Sequence, residues 1–176
     1  NVFHVTEEFT VESQDKQHNA RPDIVLFING IPFAVIECKA PQVSVDQAVE
    51  QMIRNQQVDY IPQLFKYAQI VLATNKNAVK YATAGTLKKF WNVWKEQNTE
   101  WMQSHLDALD ADRIPTMQDR NIISLFNRER VLELIRYFIL FDANVKKAGD
   151  YVDKWFVWSK EIEAIAEINN YSHRLK

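Results

Sequence analysis

The chain has 176 residues, enough for one domain with a substantial core, and its 47% hydrophobic and 25% charged content is ordinary for a soluble globular protein. Its three glycines, Gly30, Gly85 and Gly149, cannot build the phosphate loop G-x-x-x-x-G-K-[ST], so the chain carries no recognisable ATP motor of its own. A net charge of −2 decides nothing about a nucleic-acid partner, and a single cysteine, Cys38, excludes an internal disulfide and fits a reducing, cytoplasmic compartment.

Residues 2–12, VFHVTEEFTVE, alternate loosely and predict a strand. The start NVFHVTEEF lacks the basic residues and apolar run of a signal peptide, and it begins without Met, as an excised fragment would. After a polar connector, Ile24–Ile28 and Ile31–Ile36 are near-continuous in apolar and β-branched residues, the mark of strands buried on both faces. Asn29-Gly30 between them is a hairpin signal, and Pro41 ends the second strand. Ser44 to about Gln56 predicts a helix, with Ser44 as N-cap and Gln47 completing a capping box. Val45, Ala48, Val49, Met52 and Ile53 form its apolar stripe, and Gln47, Gln51 and Arg54 gather on the other face.

Ile61-Pro62 opens a short helical turn. Gln69–Thr74 predicts a buried strand, with Lys80–Ala84 as its antiparallel neighbour. Gln97–Arg113 reads as a polar connector, and Pro115–Phe126 and Asn127–Phe141 as two helices. From about Trp155 the chain is expected to end in a further helix, SKEIEAIAEINNY. No stretch is long and apolar enough to span a membrane. The sum is one α/β domain, a mixed central sheet flanked by helices, with a helical C-terminal extension.

The central hairpin carries Asp23 at one end and Glu37 and Lys39 at the other. Ionised groups at the ends of buried strands are costly unless compensated, and a bound cation would compensate them. Glu37 and Lys39 share a face, being two apart on a strand. A plain two-residue loop sets Asp23 opposite Ile36, on the wrong face. A three-residue loop or a bulge shifts the pairing by one and brings Asp23 to Glu37. The hairpin is therefore expected not to be a plain two-residue turn.

Pro22-Asp23 followed by Glu37-Cys38-Lys39 resembles the PD-(D/E)xK nuclease signature. The longer run RPDIVLFINGIPFAVIECKAP resembles the N-terminal domain of the type I restriction endonuclease R subunit almost letter for letter, although that family usually has Leu or another apolar residue at Cys38. IPQLFKYAQIVLATNKNAVKYAT, FWNVWKE and NRERVLELIRYFILF look like its continuation, so the resemblance covers roughly residues 1–141. It implies a nuclease domain over 1–141, and an extension or the start of a linker toward an absent motor over 142–176. It also implies a restriction-endonuclease-like core and Mg²⁺-dependent hydrolysis of double-stranded DNA. ATP would be used only in the full-length subunit, alongside separate modification and specificity subunits.

On that resemblance Asp23, Glu37 and the backbone carbonyl of Cys38 would ligate the metal, and Lys39 would orient water or stabilise negative charge. Gln51 would stand for the glutamine of a Q-x-x-x-Y motif on the helix after E-x-K. Asn55 then stands where the family often has Tyr, while Gln56 to Tyr60 spells the motif a second time. The Cys38 side chain is expected to point away from Glu37 as an inert core thiol. His4, His18, His105 and His173 show no ligand spacing. Trp91 and Trp94 could stack on bases, and Lys88, Lys89 and Lys95 could touch phosphates, but core packing and a solvated face are the commoner fates. The rivals are another PD-(D/E)xK DNA nuclease and a catalytically silent DNA-binding or docking module.

Overall fold

The computed structural model describes residues 1–13, 16, 19–95, 99–108, 114–142 and 153–156. Strands β1 (Phe3–Glu7), β4 (Ile24–Ile28), β5 (Ile31–Cys38), β6 (Ile70–Thr74) and β7 (Val79–Thr83) form one sheet in the order β1-β4-β5-β6-β7. Strands β2 (Val11–Glu12) and β3 (Asn19–Ala20) make a separate short pair, as do β8 (Ile139–Asp142) and β9 (Asp153–Phe156). In the main sheet only β5 and β6 run parallel. The connection between them carries helices α1 (Val45–Asn55) and α2 (Pro62–Phe65), because a parallel pair needs a long crossover.

The unbroken apolar runs of the sequence are explained by two covered faces. Every residue of β6 is buried. On one face α1 sets Val45, Ala48, Val49 and Met52 against Val25, Val35, Val71 and Ala73. On the other, Ala34, Ile36, Ile70 and Leu72 meet Leu125, Val131 and Leu134. Helix α1 begins at the expected Ser44, whose hydroxyl accepts from the Asp46 amide at 3.2 Å. The reciprocal Gln47 bond of a capping box is not formed there. The full box occurs instead at Thr116 and Asp119, opening α4 (Met117–Leu125).

The hairpin answers the register question in a particular way. The turn itself is a two-residue one: Ile28 pairs with Ile31, with Asn29 at φ 52° and Gly30 at φ 81°. The shift comes further in. Leu26 pairs with Ala34 but Phe27 with Pro32, so Phe33 is the extra residue of a β-bulge. Its ring is buried edge-on against Phe126, with centroids 6.4 Å apart. Beyond the bulge Ile24 pairs with Ile36, and Asp23, just before β4, accepts from the Cys38 amide and lies close enough to Glu37 for its charge to act on that carboxyl.

Several expectations need correction. Residues 2–12 are not one strand: Glu8 adopts φ 50° and its amide donates to the Asp23 carbonyl at 2.8 Å, ending β1 and separating it from β2. Within the expected connector lies helix α3 (Glu100–Asp107), capped by the Thr99 hydroxyl and anchored by buried Met102 and Leu106. The helix predicted over Asn127–Phe141 is shorter: α5 (Arg128–Glu133) passes into a π-helical turn, Leu134–Phe138, and the chain then extends as β8. Trp155 and Phe156 belong to strand β9, not to a helix. The expected helix SKEIEAIAEINNY lies outside the described residues. None of the described helices is long and apolar enough to cross a membrane.

Candidate active site

The α1 side of the hairpin end gathers four side chains from three places in the sequence. Asp23 lies just before β4, Glu37 near the end of β5, Lys39 just past it and Gln51 on α1. Asp23 Oδ2 accepts from the Cys38 amide at 2.7 Å, which ties the start of one strand to the end of the next. Lys39 Nζ donates to Glu37 Oε1 at 2.9 Å and to Gln51 Oε1 at 2.7 Å. The Lys39 amide donates to the Thr74 carbonyl at 2.8 Å, which fixes its backbone to β6. Helix α1, seated on the sheet through Val49 and Met52, thus brings Gln51 within hydrogen-bond reach of Lys39.

Glu37 is the unusual member. It is only 1% exposed, yet its Oε2 has no hydrogen-bond partner. Burial raises its pKa above the usual carboxylate range; the Lys39 hydrogen bond pulls it back and the Asp23 charge pushes it up again. A Lys39–Glu37 ion pair alone is what a structural strand end would show. A second carboxylate facing the first, with a buried oxygen left bare, is not, because buried polar atoms are nearly always paired.

This donor set suits one class of cation. Among the described residues no group of three or more His, Cys, Asp and Glu side chains comes together. That leaves the two carboxylates. Mg²⁺ is bound through one or two carboxylates and keeps several waters, whereas Ca²⁺ wants six to eight oxygens and structural zinc four N or S ligands. The bare Oε2 of Glu37, beside Asp23, is an oxygen such an ion could take.

The remaining expectations are placed as follows. Cys38 packs with the second face, away from Glu37, and burial followed by the Asp23 and Glu37 charges pushes its thiol up to about 11, so it stays protonated. Trp91 and Trp94 are core residues: the Trp91 indole donates to the Thr86 carbonyl and Trp94 packs edge-on to Tyr81. Lys88 pairs with Glu50 at 2.6 Å and Lys89 lies over Phe90. His4 sits on β1 and His105 on α3, while His18 and His173 lie outside the described residues. Gln56 is the C-cap of α1 and bonds the Met52 carbonyl and the Gly85 amide. Gln51, not Gln56, is therefore the glutamine that reaches Lys39. Sequence reasoning did not anticipate that Tyr60, beyond the helix, shares a cleft with Gln51 and Asn55. The second Q-x-x-x-Y spelling was its only trace.

Sequence comparisons assign the chain to a family. Residues 1–90 match the family described as type I restriction enzyme R protein N terminus, and the chain belongs to that family. It is 27% identical over 186 aligned positions to the putative type I restriction enzyme MjaIXP endonuclease subunit of Methanocaldococcus jannaschii, covering 93% of this chain and 18% of that protein. The MjaVIIIP endonuclease subunit of the same organism is also 27% identical, over 99% of this chain and 16% of the relative. The SauCOLORF180P endonuclease subunit of Staphylococcus aureus is 25% identical over 90% of this chain and 17% of its own length. The chain thus spans less than a fifth of these relatives.

Proposed function

We propose that this chain is the nuclease domain of a type I restriction enzyme R subunit, a PD-(D/E)xK core that hydrolyses phosphodiester bonds of double-stranded DNA with Mg²⁺. The observation that carries it is the closeness of Asp23 to Glu37 beyond the bulge, with one buried oxygen of Glu37 left without a partner. The names of the relatives, all endonuclease subunits, support the same reading.

Asp23, Glu37 and the Cys38 carbonyl would hold the ion, which when bound would make water more acidic and polarise the phosphate. Lys39 does the positioning. Its ammonium, fixed by Gln51, can donate to the attacking water or to a non-bridging phosphate oxygen as negative charge grows there. Water adds to phosphorus and releases one proton to solvent, one P–O ester bond breaks, and the leaving oxygen takes up a proton from solvent. Gln51 acts through Lys39 and is a positioning residue. In the intact cytoplasmic enzyme a motor outside this chain would translocate DNA with ATP, and modification and specificity subunits would supply the recognition site.

The test is nicking of covalently closed plasmid DNA. Nicking is expected with Mg²⁺ or Mn²⁺, absent with EDTA and lost in Asp23→Asn. Nicking by Asp23→Asn at the wild-type rate would remove the acid pair from the chemistry.

A further inference from the structure

Beside the acid pair, and sharing Gln51 with it, lies a cleft of about 190 Å³ between the β2–β3 pair and α1. Its lining includes Asn19, Arg21, Gln51, Arg54, Asn55 and Tyr60, and no described carboxylate. The volume is below the roughly 300–1,000 Å³ of a small-molecule pocket. The chemistry is that of an anion site: two guanidinium groups with amide side chains around them.

Arg54 is the central group. It lies on the exposed side of α1, and its guanidinium stacks over the Tyr60 ring at 5.2 Å from the centroid. Stacking fixes the plane of the group without using its N–H donors, as a carboxylate would. Among the described residues Arg54 has no carboxylate partner, and its donors remain available for a two-pronged bond to phosphate. Arg21 does have one, Glu8 at 3.3 Å, but both side chains are more than half exposed. Such a surface pair is weak and readily exchanged for a phosphate.

We propose that this cleft binds a backbone phosphate of the DNA strand that is cut, next to the one at Asp23 and Glu37, with Arg54 as its principal contact and Tyr60 holding Arg54 in place. The proposal rests on the endonuclease reading for the choice of ligand. Gln51 joins the two sites: its carbonyl oxygen accepts from Lys39 while its side chain borders the cleft. A strand lying along the hairpin end would meet the acid pair and then Arg54. Contacts of this kind set register and affinity but carry no sequence information.

The experiment is fluorescence anisotropy of a labelled duplex with the 176-residue chain in EDTA, over a series of salt concentrations. Arg54→Ala is expected to weaken binding about five- to tenfold at low salt and to lower the slope of log K against log salt by about 1. Arg54→Lys should keep the slope, and Tyr60→Ala should weaken binding through loss of the stack. Arg136→Ala is the control, since Arg136 stacks on Tyr137 in the same fashion but on the π-helical turn over the other face of the sheet. It should bind as wild type, and circular dichroism checks that each variant is folded. An Arg54→Ala protein with wild-type affinity and slope overturns the proposal, as does a wild type that does not bind duplex at low salt. Because no metal or cleavage enters the measurement, failure of plasmid nicking would leave a positive result standing. An active nuclease with an indifferent Arg54 would sink the cleft alone.

Discussion

Lys39→Ala is expected to slow DNA cleavage by about 10²–10³-fold while the chain remains folded, the range typical of removing one charge-stabilising donor. The ammonium lies 2.9 Å from Glu37 and 2.7 Å from Gln51, so the substitution removes a fixed donor and not a loose surface charge. Two effects contribute and can be separated. Without Lys39 the Glu37 carboxyl loses the hydrogen bond that lowers its pKa, and it competes with metal by holding a proton more tightly. Raising the pH should restore that part. The part due to the missing donor should persist at every pH. Gln51→Ala, which frees Lys39 without removing it, should fall between wild type and Lys39→Ala. Plasmid nicking followed from about pH 7 to pH 9 measures all three. A Lys39→Ala rate within a few-fold of wild type would reduce the lysine to a structural ion pair.

Glu37→Gln is expected to abolish metal-dependent activity and at the same time to raise the melting temperature of the metal-free protein near pH 8. The sign follows from the buried carboxyl. Its folded pKa is raised above the unfolded value, so its contribution to stability is fully present below the unfolded pKa and is lost as pH rises through the folded one. Near pH 8 the ionised group therefore costs folding free energy that glutamine does not, and near pH 4 the difference should vanish. Losing the Lys39 bond offsets little of this, because Lys39 keeps Gln51 and is partly exposed. For a chain of this size each kcal/mol corresponds to about 2–4 °C. Mn²⁺ should raise the melting temperature of the wild type and leave the variant unmoved. Thermal unfolding at the two pH values decides it. A variant that melts lower than wild type near pH 8 would show that the ionised carboxylate stabilises the fold.

Most of what positions the site was legible in the sequence for identifiable reasons. β4, β5 and β6 announce themselves because burial on both faces forces continuous apolar runs, and α1 because Ser44 and a five-residue stripe agree on one helix. The need for a register shift was readable from Asp23, Glu37 and the pleat. Its location was not, since nothing local distinguishes Phe33 from its neighbours. Its contact with Phe126, far along the chain, is visible only in the fold. Other misses share that character. Glu8 leaves the strand conformation while donating to Asp23, a bond across fifteen residues. Helix α3 hides in a polar stretch because only Met102 and Leu106 are buried. β8 continues a helical pattern in sequence and becomes a strand by pairing with β9. Tyr60 reaches the cleft beside the site because the chain turns after α1, a placement that helical periodicity cannot describe.

The most direct test is calorimetric titration of Mn²⁺ into wild type, Asp23→Asn and Glu37→Gln, each shown to be folded by circular dichroism. A shared two-carboxylate site requires binding by the wild type and a loss of about tenfold or more in affinity in both variants. Equal affinity in all three proteins, or no binding by the wild type with or without duplex DNA, would contradict a metal centre at the end of this hairpin.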